Sequence, residues 1–249
     1  MRNICASILA EKYDLKFEYS CYDAIKSMGI ELYTGGKKTH PTTLQFKDEY
    51  FGRFMDNDRT EPYVWDGDEE PTPEKHNIDV NFIFLQTPTT ARYIRKFLEE
   101  RMPSIIQHNP FRERYGKNND VFMHIRLGDI LHINEGKYVT SIEYYINTLI
   151  KVLKDPQFYD GKRYISSDSI DHPWCQGLIR QFNMIPFVMN EIMTIQYAST
   201  CSNLILSTGT FSWVIGVLGF HSKVYYPEIE VKWHGEIFVF DDWSRETKE

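Results

Sequence analysis

From residue 121 onward, short apolar runs at 121–126, 163–166, 186–189, 204–207 and 223–226 alternate with helix-compatible stretches at 141–153, 173–181, 191–201 and 210–218. A strand that is followed by a helix and then by another strand of the same sheet is returned to its starting edge, so its neighbours run parallel. The alternation therefore predicts an α/β fold with a doubly wound parallel sheet. In the stretch 141–153, Ser141 precedes Glu143, and Ile142, Tyr145, Ile146, Leu149, Val152 and Leu153 recur at helical spacing. That stripe reads as core and not as a cofactor-binding face.

The front half reads as a separate lobe. Residues 3–12 are helix-compatible and rich in small side chains, 16–19 and 30–33 are strand-like, and Gly35-Gly36 suggests a turn between elements. Residues 56–75 shift to Asp, Glu, Pro and Gly, the composition of a long exposed loop. A strand is expected at 81–85, and a helix at 89–102 with Pro103 after it. Residues 109–119, rich in charge, Gly and Asn, are expected to link the lobes. The expected organisation is a front lobe over 1–115, a back lobe over 116–235 and a tail over 236–249.

A formal net charge of -7 argues against a general affinity for nucleic acid or for anionic membranes. No stretch approaches the roughly 20 apolar residues needed to span a bilayer, and the start lacks a signal-peptide pattern, so a soluble, cytoplasmic chain is expected. Cys5, Cys21, Cys175 and Cys201 are scattered without metal-ligand spacing, which suggests free buried thiols in place of a disulfide frame, and no metal site.

Chemistry-bearing residues sit where the predicted strands end. The run Val121 to Ile130 closes in His124, Arg126, Gly128 and Asp129, and ligands in open α/β sheets bind at the carboxyl edge of the strands. Arg126 is permanently charged and its fork of donors matches a pair of phosphate oxygens, although an Arg–Asp ion pair at the edge of the core explains the same residues. Asp168, in Ser166-Ser167-Asp168-Ser169, suits either the paired N–H groups of a guanine base, a ribose hydroxyl, or a turn. At Ser207-Thr208-Gly209-Thr210-Phe211-Ser212-Trp213 a strand gives way to an apolar helix. Backbone N–H groups there, with the hydroxyls of Thr210 and Ser212, form a candidate diphosphate cradle, and Thr210 equally suits a helix cap.

These segments together resemble the α1,2-fucosyltransferases, within the wider group of fucosyltransferases that share three peptide motifs. His124-Ile125-Arg126-Leu127-Gly128-Asp129 is similar to the first motif, usually His-x-Arg-Arg-Gly-Asp. Ile165-Ser166-Ser167-Asp168-Ser169 with Trp174-Cys175 resembles the second, and Ser207 to Trp213 the third. Ser141-Ile142-Glu143-Tyr144-Tyr145 and Phe84-Leu85-Gln86-Thr87 resemble two intervening segments, in the family's order. The resemblance implies a two-lobed glycosyltransferase of the GT-B type that inverts configuration without a metal or other cofactor, with GDP-β-L-fucose as donor and a glycan hydroxyl as acceptor. It further implies that Arg126 neutralises the β-phosphate, that His124 and Asp168 read the guanosine, that Thr210, Phe211 and Ser212 hold phosphate oxygens, and that Asp129 belongs to the donor site.

Three departures matter. Leu127 stands where the family has a second Arg, and Thr194 where an Asp is common, with Glu191 one turn earlier facing the same way as a partial replacement. The family's opening strand and Gly-Gly-Leu-Gly-Asn-Gln loop would precede Met1, so the front lobe is expected to lack both. No general base is assigned: Asp56, Asp58, Glu61 and Asp66 are candidates, while Tyr50, Phe51, Tyr63 and Trp65 are candidate stacking faces for a sugar. The alternatives to a fucosyltransferase are a transferase for another GDP-sugar and a catalytically silent protein that binds a nucleotide sugar or acts as a scaffold.

Overall fold

The computed structural model describes residues 1–48, 50–56, 72–80, 84–228 and 235–247. The chain divides into two units, one of Met1–Ser104 with His234–Val239 and one of Ile105–Trp233 with Phe240–Glu249. The sequence places the corresponding borders at 115/116 and 235/236.

In the first unit, α1 (Arg2–Tyr13) is followed by α2 (Tyr22–Ser27), β1 (Thr43–Gln45), α3 (Tyr50–Asp56), β2 (Asn77–Asp79) and α4 (Pro88–Glu100). The small residues Cys5, Ala6, Ser7 and Ala10 of α1 are buried, and α1 packs against α4, whose Ala91, Ile94, Phe97 and Leu98 form a buried stripe. Thr87 caps α4 by accepting a hydrogen bond from Thr90 N at 3.2 Å. Pro103 does not follow a helix that runs to 102. It stands at the second position of α5 (Met102–His108), where a missing N–H costs nothing.

The strand-like runs at 16–19 and 30–33 are not strands. Among the described residues neither run joins a ladder: 16–19 follows Leu15, which forms an isolated parallel bridge with Lys38, while Ile30 and Leu32 bury their side chains and Tyr33 N donates to Ser7 Oγ at 2.7 Å. The sheet of this unit is instead β1 paired in parallel with β2, Leu44 opposite Ile78. A period-two pattern specifies an extended chain, but a strand requires a neighbour to receive its hydrogen bonds. Gly35-Gly36 forms no turn; a Cβ on Gly36 would lie 1.8 Å from the Leu15 carbonyl oxygen, so close backbone approach demands the glycine. Of the strand expected at 81–85, residues 81–83 lie outside the described residues, and Phe84 and Leu85 are not in a strand.

The second unit is α/β. After β3 (Val121–Ile125) come α6 (Ile142–Leu153), β4 (Arg163–Ser167), α7 (Pro173–Phe182), β5 (Ile185–Pro186), α8 (Glu191–Ala198), β6 (Asn203–Ile205), α9 (Thr210–Leu218), β7 (Lys223–Pro227) and β8 (Ser244–Glu246). All six strands pair in parallel in the order β5-β4-β3-β6-β7-β8. Counted within the unit this is 3-2-1-4-5-6, the Rossmann-like order, with its topological switch between β3 and β6. β8 corrects the reading of the last residues as a tail: they add a sixth strand, with Trp243 buried beside it and Glu246 paired to Lys151 at 2.8 Å.

One face of the sheet carries Val121, Met123, Ile125, Ile165 and Ile205 against Tyr145, Leu149 and Val152 of α6 and Cys175 and Leu178 of α7. Ile142, Ile146 and Leu153 complete the stripe as half-buried neighbours, as the periodicity predicts. The other face is aromatic, with Phe122 5.6 Å from Phe187 and Phe187 stacked on Tyr197 at 4.5 Å. Each such buried side chain contributes roughly 1.5–3 kcal/mol, enough to hold the strand ends in register. Residues 109–119, expected as a linker, are tied into this same unit. Asn109 Nδ2 donates to Gln196 O at 2.8 Å, Arg114 pairs with Asp120 at 2.7 Å, and Asn118 Nδ2 donates to Thr200 O at 2.8 Å.

Candidate functional site

The register of β3 on β4 sets His124 opposite Ser166 and Ile125 opposite Ser167. Continuing it by one residue brings Arg126 and Asp168, which are 42 positions apart in the chain, to the same level of the carboxyl edge. Arg126 Nε lies 3.2 Å from Asp168 Oδ2, and Arg126 Nη2 lies 2.5 Å from Asp129 Oδ1. The ion-pair reading of Arg126 and Asp129 is therefore realised, and Asp168 joins it.

Asp168 has a further task that its sequence context does not reveal. Its Oδ1 accepts hydrogen bonds from Leu127 N at 2.9 Å and Gly128 N at 3.1 Å, which fastens the loop that leaves β3. Gly128 has φ +23°, and a Cβ there would stand 2.5 Å from Asp168 Oδ2, so only glycine lets the loop approach the carboxylate this closely. Leu127 is fully buried in the core beside Ile125. Its side chain is in the core and not at the carboxyl edge of the sheet.

His124 is closed off from solvent, and its Nδ1 lies 2.6 Å from Ser212 Oγ. Ser212 Oγ in turn lies 3.0 Å from Ser207 Oγ, and Ser207 donates to Thr208 O at 3.1 Å. Burial, reinforced by the Arg126 charge and opposed by Asp168, lowers the imidazole pKa to about 4. A neutral ring at neutral pH has one nitrogen as donor and one as acceptor. The ring centroid of Phe211 is 4.9 Å from that of His124.

These contacts correct one part of the expected cradle. The Ser212 hydroxyl turns inward to His124 and Ser207 and is 1% exposed, so it orients the histidine instead of facing the helix start. The cap of α9 is Gly209, with φ +107° and no side-chain cap bond, and Thr210 is the first helical residue. The opening N–H groups of α9 thus begin directly after a glycine, at the end of the strand beside β3. Sequence reasoning missed two supporting residues, Ser207 and Tyr144. The Tyr144 hydroxyl lies 2.9 Å from Leu206 O and 3.1 Å from Tyr225 O, so its single proton is shared between the residue that follows β6 and the middle of β7. The signal for each was present, since Ser207 opens the polar segment that ends β6 and starts α9, and Tyr144 stands in the Ser141 to Tyr145 segment singled out by its resemblance.

The remaining candidates are not gathered here. Thr194 is buried and donates to Met189 O at 3.4 Å, whereas Glu191 is exposed, so the two do not face the same way. Tyr50 and Phe51 are buried core of the first unit and offer no stacking face to a sugar. Asp56 accepts a hydrogen bond from Tyr93 Oη. Asp58, Glu61, Tyr63, Trp65 and Asp66 lie outside the described residues. Among the described residues no group of three or more His, Cys, Asp or Glu is gathered as a metal site, and no helix is long and apolar enough to cross a membrane. Comparison of the chain with family models, with curated proteins and with solved structures gives no match.

Proposed function

We propose that the carboxyl edge of the second unit binds a nucleoside diphosphate sugar and that the protein is an inverting, metal-independent glycosyltransferase of the two-lobed GT-B type. In this reading it moves L-fucose from GDP-β-L-fucose to a sugar hydroxyl, in the α1,2 manner. One observation carries the proposal: three separate segments with the look of fucosyltransferase motifs converge on one edge, at the switch point where open α/β sheets receive ligands. These are His124 near the end of β3 and Arg126 just after it, Asp168 after β4, and Ser207 to Ser212 after β6. Bond breaking leaves charge on a diphosphate, and a guanidinium at a helix-start edge stabilises that charge as it grows.

A second reading, a silent nucleotide-sugar-binding protein, is favoured by Leu127, which packs in the core where the family has a second cation. The test is thermal shift with GDP, UDP and ADP, followed by transfer and hydrolysis assays with GDP-fucose. GDP is expected to raise Tm well beyond UDP or ADP, since a ligand that binds only the folded state stabilises it by mass action. Equal shifts from the three nucleotides remove the guanosine assignment. Binding of GDP with no turnover of any GDP-sugar leaves the silent reading.

A further inference from the structure

Arg126 is the cation on which the diphosphate reading depends, yet it already carries two carboxylates of different character. Asp168 is built in: it holds Leu127 N and Gly128 N, and the Gly128 backbone is pressed against it. It cannot leave without undoing the loop after β3. Asp129 is attached through its side chain to Arg126, three residues away, on a single 3-10 turn, and that side chain is 64% exposed. One guanidinium against two carboxylates leaves the cluster net negative, the wrong sign for capturing an anion while both remain in place.

We propose that Asp129 is a displaceable counter-ion: it holds the Nη edge of Arg126 and swings into solvent when a phosphate-bearing ligand arrives, while Asp168 stays and aims the guanidinium. The inference rests on the diphosphate reading and changes the role of Asp129 from donor contact to internal competitor. The exchange is downhill because an exposed ion pair is worth little, whereas a phosphate accepts a two-pronged, charge-assisted contact. A tethered carboxylate is present at high effective concentration, so it also screens out weak monoanions and favours multiply charged ligands.

The experiment is calorimetric titration with inorganic pyrophosphate and with GDP, at one ionic strength, on wild type, Asp129→Asn, Asp129→Ser, Arg126→Ala and the double variant Asp129→Asn/Arg126→Ala. Asp171→Asn serves as a matched removal of an exposed charge. Both Asp129 variants are expected to bind pyrophosphate about three- to tenfold more tightly than wild type, with Asp171→Asn changing affinity less than about twofold. In the Arg126→Ala background the gain disappears. Affinity that is unchanged or weaker in folded Asp129 variants overturns the proposal, as does a gain that survives loss of Arg126 or is matched by Asp171→Asn. If GDP binds selectively but the Asp129 variants gain nothing, the counter-ion idea fails and the donor reading stands. If they gain pyrophosphate affinity without preferring GDP to UDP, the reverse holds. Absence of both pyrophosphate and GDP binding to wild type and to both Asp129 variants overturns both.

Discussion

At the scale of single residues, His124 combines burial with a hydrogen-bonded hydroxyl, and that combination has a consequence for stability. Its pKa falls from 6.5 to about 4 on folding, with burial the largest cause. Between those values the unfolded chain binds the proton and the folded chain does not. The contribution is therefore complete above pH 6.5 and is lost as pH falls toward 4, by roughly 3 kcal/mol in all. His124→Gln is expected to flatten this part of the curve relative to wild type, measured as Tm against pH from 7.5 to 4. An identical slope in the variant would place the acid sensitivity elsewhere. Asp168 makes a second test at this scale, because its two backbone hydrogen bonds and its ion pair predict a structural cost that base recognition alone does not. Asp168→Ala should lower stability by roughly 1–3 kcal/mol even without ligand, read by urea unfolding. Were stability untouched and only nucleotide preference lost, the loop-fastening role would be wrong.

At the scale of elements, the turn after β3 and the start of α9 are each shaped by one glycine with positive φ. Gly128 has the harder constraint, because a methyl group at that position meets the Asp168 carboxylate and the backbone conformation is itself unfavourable for an L side chain. Gly128→Ala is expected to cost roughly 1–3 kcal/mol and to weaken GDP binding through displacement of Arg126. Amide exchange of Leu127 and residue 128 should rise in the variant, while β7 stays protected. Gly177, for which added carbon meets nothing, is the matched control on α7, where alanine is favourable.

At the scale of the whole molecule, the last residues described here belong to the second unit's sheet. β8 pairs with β7, and Trp243 is buried with its ring centroid 4.9 Å from that of Phe240. Trp243→Ala should therefore cost roughly 3–5 kcal/mol, as for other buried aromatic truncations, and should broaden thermal unfolding followed by circular dichroism. A negligible change would return these residues to the status of a tail. Activity belongs to this scale as well. If the Arg126 charge matters more as the diphosphate leaves, Arg126→Ala cuts turnover of GDP-fucose by more than it weakens GDP binding, and Arg126→Lys rescues poorly. Equal losses in rate and binding would assign Arg126 to ground-state binding only.

The sequence by itself determined the second unit's alternation of elements up to β7 and their parallel pairing, because strand and helix periods are local and helical crossovers favour no other arrangement, although the strand expected at 186–189 is only Ile185–Pro186. It also placed His124, Arg126, Asp168 and the start of α9 at strand ends, where the apolar runs give way to polar residues. Tertiary structure alone decided what those side chains touch. Ser212 turns to His124 from 88 positions away, and Asp168 reaches back 41 positions to Leu127 N. Such pairings depend on strand order and register, which are settled by packing of whole faces and not by neighbours in the chain. The same reason explains the failures. Residues 16–19 and 30–33 have strand composition but find no ladder, and residues 109–119 look like a linker yet are fastened to the end of α8. β8 lies in a stretch too short and too polar to announce itself, and it is a strand only because β7 offers it an edge.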